Sequence, residues 1–264
     1  MTIVDRELEE AMAALLTTAP PSLAPGVLSE IGLVDRYAHI DSPIGALVVA
    51  WNGLGVSAVE ASANDTAFEE AHEARTGRRT IRAERLPARL ERAIQRRLAG
   101  DRHVRIDLDL RGHTEFEREV WRKAIEIPRG EVRPYGWVAA EIGRPRAVRA
   151  VGTALGHNPV PLIVPCHRVV RSDGLLGQYS LGGSQNKRTI LATEGVDLPR
   201  LERLASSGIR FLGSDTTKIF CLPTCRHARR VTDRHRLEFR SMDEVRARGY
   251  RACRVCRPAA AVAA

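Results

Sequence analysis

The sequence predicts three modules in series: a mixed α/β unit, a helix-turn-helix unit, and a small α+β unit folded around a metal. Apolar stretches over residues 37–59 are interrupted by Asn52-Gly53, a dipeptide that favours a two-residue hairpin turn. Two helical stretches, 136–142 and 146–155, flank Gly143-Arg144-Pro145, the layout of a helix-turn-helix. Four of the five cysteines lie in the last 44 residues as Cys221-x3-Cys225 and Cys253-x2-Cys256, with 27 residues between the pairs. Tetrahedral zinc favours such closed all-sulfur sites, so these four cysteines are the expected ligands of one zinc ion. Two disulfides are the alternative, disfavoured in a reducing cytosol, and His227 or His235 could each stand in as a ligand.

Composition narrows the function classes. The 264 residues leave room for one large domain or two modest ones with a sizeable core. With 44% hydrophobic and 28% charged residues, the chain falls outside the disordered, collagenous and membrane classes. Its longest apolar run, 160–166, is far short of the roughly 20 residues a membrane helix needs. The start of the chain lacks the basic head and apolar heart of a secretion signal, which predicts a cytoplasmic, nucleoid-associated protein with no membrane partner. The formal charge is +9, and residues 201–258 carry nearly all of it, with 14 basic and 6 acidic residues. Those cations are almost all arginine, whose fork matches phosphate oxygens, so a phosphate-backbone partner is expected. The alternative is a small domain kept soluble by its arginines.

Each element then follows in order. The first module opens with a helix over 5–16 and a loop marked by Pro20, Pro21 and Pro25. Strands follow around Ile40, over 46–51 and over 56–59, then helices over 66–76 and 87–99. A last strand is expected over 105–110, where polar and apolar residues alternate, and the whole module reads as scaffold. In the second module, Thr114-Glu115-Phe116-Glu117 has the capping-box pattern, and Phe116, Val120, Trp121, Ala124 and Ile127 recur at helical spacing until Pro128 stops the helix. The second helix of the helix-turn-helix carries Arg146 and Arg149. A proline-framed apolar stretch then delivers Cys166 beside His167. A neighbouring histidine can promote a thiolate, whereas a cysteine buried among apolar groups is inert, and spacing leaves both open. Gly177-Gln178-Tyr179-Ser180-Leu181-Gly182-Gly183 lacks the Gly-Lys-Ser/Thr ending that holds a nucleotide, so it reads as the wall or lid of a pocket. A final helix ends at Glu194-Gly195, and the helix-like connection around 201–204 is either a spacer or a docked helix. In the third module, a strand over 216–220 leads into Cys221, and Ser241-Met242-Asp243-Glu244 makes a second capping box.

Pro165-Cys166-His167-Arg168-Val169-Val170, with Asn158-Pro159 and Arg149-Ala150-Val151-Gly152 upstream, resembles the active-site block of the O6-alkylguanine-DNA alkyltransferases. Ser42-Pro43-Ile44-Gly45, Ile127-Pro128-Arg129-Gly130 and Tyr135-Gly136 extend the likeness over about 42–196. The resemblance implies a ribonuclease-H-like α/β subdomain followed by a winged-helix-like helix-turn-helix domain. It also implies that Cys166 is a once-only alkyl acceptor, that Glu194 orients His167, and that a water helps His167 take the thiol proton. Tyr135 would assist departure of the base, Asn158 would hold the active-site turn, and the Val164 carbonyl with Tyr179 and Ser180 would line the base pocket. The nucleotide must leave the duplex for such chemistry, and Arg149 would fill the gap from the minor groove.

The tail, with Thr216-Thr217, Cys221-x3-Cys225, Arg251 and Cys253-x2-Cys256, resembles the Ada-type zinc domain that accepts a methyl group from DNA phosphotriesters. That resemblance makes Cys221 the acceptor and zinc the ion that keeps its sulfur deprotonated. The zinc domain here follows the alkyltransferase, the reverse of the familiar order, and Leu181 is an extra residue in the pocket wall. The implied domains are an extension 1–35, an α/β subdomain 36–111, a catalytic helix-turn-helix domain 112–196, a linker 197–209, a zinc domain 210–258 and a tail 259–264. The expected partner is alkylated double-stranded DNA, met by a monomer that needs no nucleotide cofactor. A damage-sensing DNA-binding regulator is the alternative reading.

Overall fold

A computed structural model of the chain describes residues 23–62, 64–101 and 103–258. The helix expected over 5–16 lies outside the described residues. Helix α1 (Leu23–Glu30) leads into β1 (Asp35–Ile40), and the hairpin β2 (Leu47–Asn52) and β3 (Gly55–Glu60) follows. The sheet order is β3-β2-β1-β4, with β4 (Thr80–Arg82) parallel to β1 and the other pairs antiparallel. All six residues of β2 are buried, because both faces of the sheet are covered. The two-residue period divides them: Leu47, Val49 and Trp51 enter the main core, while Val48 and Ala50 meet Tyr37 and Phe68 on the other side. Phe68 belongs to α2 (Asp65–Thr76), and α3 (Ala88–Leu98) completes the layer.

The strand expected over 105–110 does not form. Leu108 makes one parallel bridge to Val56, with the Val56 amide donating to Asp107 and the Asp109 amide donating back to Val56. Pairing stops there because the Asp109 carboxylate is drawn to Asn52 and Arg111. Gly55 permits the approach, for at φ 140° a Cβ there would sit 2.4 Å from the Asp107 carbonyl.

The second module is built on α4 (Glu115–Ile125), whose capping box is complete: Thr114 Oγ1 accepts from the Glu117 amide and the Glu117 carboxylate accepts from the Thr114 amide. Trp121 lies in the core, as its spacing predicts, with its indole N–H on the Ala154 carbonyl. The helix-turn-helix is α5 (Tyr135–Glu141) and α6 (Val148–Gly156). Arg146 therefore precedes the second helix instead of opening it, because the Pro145 ring fits the turn and Ala147 takes the N-cap. Strand β5 (Arg133–Pro134) runs parallel to β6 (Val169–Val170), and α7 (Gly183–Thr193) ends at Glu194. The connection that follows is a docked helix, α8 (Leu198–Ser206), whose Leu198 and Leu201 pack with Val132, Val170 and Leu191.

The third module is a four-stranded sheet in the order β10-β8-β7-β9, formed by β7 (Phe211–Ser214), β8 (Ile219–Cys221), β9 (Arg236–Phe239) and β10 (Arg251–Ala252). The strand expected from Thr216 begins only at Ile219, because Thr216 and Thr217 form a turn completed by Lys218 at φ 52°. Helices α9 (Arg226–Arg229) and α10 (Met242–Ala247) flank the cysteines. The Ser241 box is half made: its hydroxyl accepts from the Glu244 amide, while the Glu244 carboxylate accepts from Arg240, one residue before the cap. The largest apolar core runs through all three modules, from Val49 and Trp121 to Cys166, Phe220 and Cys256. No described helix is long and apolar enough to cross a membrane.

Candidate active site and metal centre

The stretch from Asn158 to Val170 folds back on itself around the Asn158 side chain, whose amide bonds to three groups within it. Asn158 Nδ2 donates to the Val164 carbonyl at 3.0 Å and to Cys166 Sγ at 3.1 Å, while its Oδ1 accepts from the Val160 amide at 3.1 Å. Leu162 is held in the left-handed region at φ 72°, a strain of about 1–2 kcal/mol that the surrounding bonds sustain. Pro165 sits at φ −81° and ψ 62°, and the Cys166 amide donates across it to Val164 at 2.8 Å. That is an inverse γ-turn, and it aims Cys166 at the start of a tight turn over Cys166–Arg168.

His167 is fully enclosed, with Nε2 3.0 Å from Glu194 Oε1. Arg168 grips the same carboxylate from Nε at 2.9 Å and Nη2 at 2.7 Å, and its Nη1 donates to the Ile127 carbonyl at 2.8 Å. Burial alone would raise the Glu194 pKa, but the bonds from His167 and Arg168 outweigh it and bring it to about 2. An ionised carboxylate only accepts, so the His167 proton resides on Nε2 and the lone pair is left on Nδ1. Nδ1 has no hydrogen-bond partner among the described residues. Burial also pushes the His167 pKa down, which keeps the ring neutral, and pushes the Cys166 thiol up against the opposing pull of Asn158. The resting pair is therefore a thiol beside a neutral imidazole.

Tyr135 is half-buried at the start of α5, and burial followed by the nearby Cys166 raises its pKa, so its hydroxyl remains a donor. Tyr179 is buried, its ring edge-on to His167 at 6.1 Å, and its hydroxyl has no partner among the described residues. Ser180 is exposed, and with Asn158, Pro161 and Leu181 it lines an open cavity of about 600 Å³ whose far wall includes Glu60 and His113. Arg149 and Arg146 are both exposed, and neither is ion-paired to a described residue. Sequence reasoning missed Lys187. It is 1% exposed, donates to the Val169 and Leu176 carbonyls at 2.6 Å each, and has its pKa pushed down to about 8 by burial against the opposing influence of Cys166. Its signal was the spacing of Lys187, Ile190 and Leu191 on one helical stripe.

In the third module Cys221, Cys225, Cys253 and Cys256 are all buried, and their sulfurs lie within 4.8 Å of one another. Four convergent sulfurs of this kind suit tetrahedral zinc, with no fifth ligand required. His227 is exposed and lies outside the cluster, as does His235, which pairs with Asp215 at 2.9 Å.

Comparison with known proteins finds two family models that match different parts of the chain. Residues 115–196 match the family described as 6-O-methylguanine DNA methyltransferase, DNA binding domain. A methylated-DNA–protein-cysteine methyltransferase of Mycolicibacterium paratuberculosis is 42% identical over 160 residues, 60% of this chain and 92% of that protein. The chain belongs to the methylated-DNA–protein-cysteine methyltransferase family. Its relative of the same name from Salmonella typhimurium is 51% identical over 84 residues, 32% of this chain and 48% of that protein. Two crystal structures of variants of the Mycobacterium tuberculosis methyltransferase are 36% identical and cover 61% of this chain and 93% of theirs, with TM-scores of 0.51 and 0.50. Residues 203–259 match the metal binding domain of Ada, so this methyltransferase-family chain carries an Ada-type domain with one four-cysteine zinc site.

Proposed function

We propose that this chain reverses alkylation damage in duplex DNA directly, moving an alkyl group irreversibly from guanine O6 to Cys166. The observation that carries the reading is the Cys166 thiol beside a neutral His167 whose Nε2 proton is held by ionised Glu194. His167 Nδ1 takes the thiol proton through a water, and Glu194 steadies the imidazolium that forms. The sulfur attacks the alkyl carbon in line: the S–C bond forms, the C–O bond breaks, and its electrons leave with the guanine. Tyr135, a donor at neutral pH, protonates the departing base. A thioether has no easy leaving path, so each chain reacts once.

Asn158 keeps the acceptor turn closed and Cys166 in place. The Val164 carbonyl already accepts from Asn158 and from the Cys166 amide, so it shapes the base pocket through its position, with Tyr179 and Ser180 forming the remaining wall. The target nucleotide has to leave the stack, and exposed Arg149 is placed to fill the gap while Arg146 meets phosphate. In the zinc domain, Cys221, Cys225, Cys253 and Cys256 hold the metal, which keeps the sulfurs deprotonated when bound. Cys221 and Cys253 keep 4% and 5% exposure whereas Cys225 and Cys256 are sealed, and the likeness to the Ada-type domain supports Cys221 of that pair as the acceptor of a methyl group from a DNA phosphotriester. We assign residues 36–111 to a ribonuclease-H-like subdomain, 112–196 to a winged-helix-like catalytic domain, 197–209 to a linker and 210–258 to the zinc domain. The chain acts as a monomer on alkylated double-stranded DNA in the nucleoid, without a nucleotide cofactor.

Peptide-mapped mass spectrometry after exposure of the zinc-loaded protein to methylated duplex DNA tests this directly. One added methylene on Cys166 and one on Cys221 are expected, and Cys166→Ala should lose only the first. Methyl on neither cysteine would overturn the reading.

A further inference from the structure

The two modules that carry the acceptor cysteines meet across a short segment, 127–134, whose bonds run to both. Toward the Cys166 loop, the Ile127 carbonyl accepts from Arg168 at 2.8 Å, Arg129 donates to the Thr193 carbonyl, and Arg133 and Pro134 pair with Val169 and Val170. A Cβ on Gly130, which sits at φ 76°, would come within 2.9 Å of the Glu194 carbonyl oxygen, so this contact leaves no slack. Toward the zinc domain, Thr224, next to the ligand Cys225, takes both backbone groups of Val132: its Oγ1 accepts from the amide at 2.9 Å and donates to the carbonyl at 3.2 Å. Glu131 is 1% exposed, receives the Arg226 amide of α9 at 3.0 Å, and is ion-paired with Arg133. Trp137 of α5 donates its indole N–H to the carbonyl of the ligand Cys256 at 2.9 Å.

Such contacts are costly to open. Val132 and Thr224 are buried, so separating the modules would leave the Val132 amide and carbonyl without partners and take the Arg226 amide from one Glu131 oxygen, the other staying on Arg133. The zinc domain holds those partners in register only while its cysteine-capped turns are folded, and four sulfurs gathered around a metal are what fold a unit this small.

We propose that segment 127–134 is a bridge shared by the two modules, and that the folded zinc domain, through Thr224 and Glu131, positions the Cys166 loop. Thr224 and Glu131 are positioning residues, since neither touches the reacting atoms. The effect on Cys166 rests on the reading of that residue as the alkyl acceptor, whereas the mechanical coupling does not.

The test uses the full zinc-loaded chain and its Thr224→Val and Thr224→Ser variants, with two measurements. Amide hydrogen exchange is followed over 130–134 and 166–170, and the rate of Cys166 alkylation is measured with free O6-benzylguanine, which needs no duplex. With zinc content unchanged at one per chain, Thr224→Val should speed exchange in both segments about tenfold and slow alkylation about fivefold, because two buried bonds are lost. Thr224→Ser keeps the hydroxyl and should behave as the parent. Stripping zinc with a chelator should reproduce the Thr224→Val pattern. Should Thr224→Val lose its zinc, Glu131→Gln, which lies on the other module, carries the same expectation. Exchange that quickens only within 211–258, or an alkylation rate unmoved while 130–134 loosens, would overturn the proposal. A parent protein whose Cys166 takes neither benzyl from the free base nor methyl from methylated duplex DNA would instead sink the acceptor assignment, leaving exchange alone to decide the bridge.

Discussion

Glu194 serves two cations at once, and that fixes what its replacement should do. Its pKa lies at about 2, below the ordinary carboxylate value, so the stability it contributes is present above that ordinary value and is lost as pH falls through about 2. In Glu194→Gln the His167 ring loses the charge that stabilises its protonated form, so the acid limb of the alkylation rate should move to lower pH. The rate itself should drop by about a hundredfold, the scale of lost general base assistance. Stopped-flow alkylation by free base across pH 4–9 checks both, and an unshifted limb would contradict the role given to Glu194. Cys166, His167 and Asn158 were legible in the sequence because they fall within nine positions of one another. For Lys187 the helical stripe with Ile190 and Leu191 marks only an inward position, and its partners were hidden because they are the backbone carbonyls of Val169 and Leu176, which carry no side-chain signature.

Among the elements, α6 bears the clearest functional prediction. Arg149 is exposed in its first turn, so Arg149→Ala should slow repair of a duplex lesion about tenfold while hardly changing attack on free modified base, because only the duplex requires extrusion. Equal slowing in single-turnover assays on the two substrates would remove that role. The helices were readable in advance where local signals were complete, as in the Thr114–Glu117 capping box. The edge elements were not. Strand β4 is three residues long and exists through its pairing with β1, and the alternating 105–110 stretch is stopped by Asp109 turning to Asn52. Both outcomes are set by residues more than 40 positions away, which periodicity cannot register.

At the level of the whole molecule, the sequence disclosed three modules but not how they join. Cysteine spacing announced the metal site, and the four sulfurs do converge. The buried seam formed by Glu131, Val132, Trp137 and Thr224 had no such herald, since each looks like an ordinary core or surface residue until the partner module is placed. The first module hides a comparable knot: Asp35 accepts from Asn52, Ser57, His72 and Arg78, and together these bonds hold its carboxyl well below the usual range although burial alone would raise it. Of the three tryptophans, Trp51 and Trp121 lie in the first two modules, and Trp137 alone bonds to a zinc ligand's backbone, with Arg133 and Arg257 each about 5.5 Å from its ring. The indole is thereby an optical gauge of metal loading. Chelation should shift the emission toward the red as Trp137 meets water, and Trp137→Phe should abolish the shift, so the state of the zinc domain can be followed by light while Cys166 reacts.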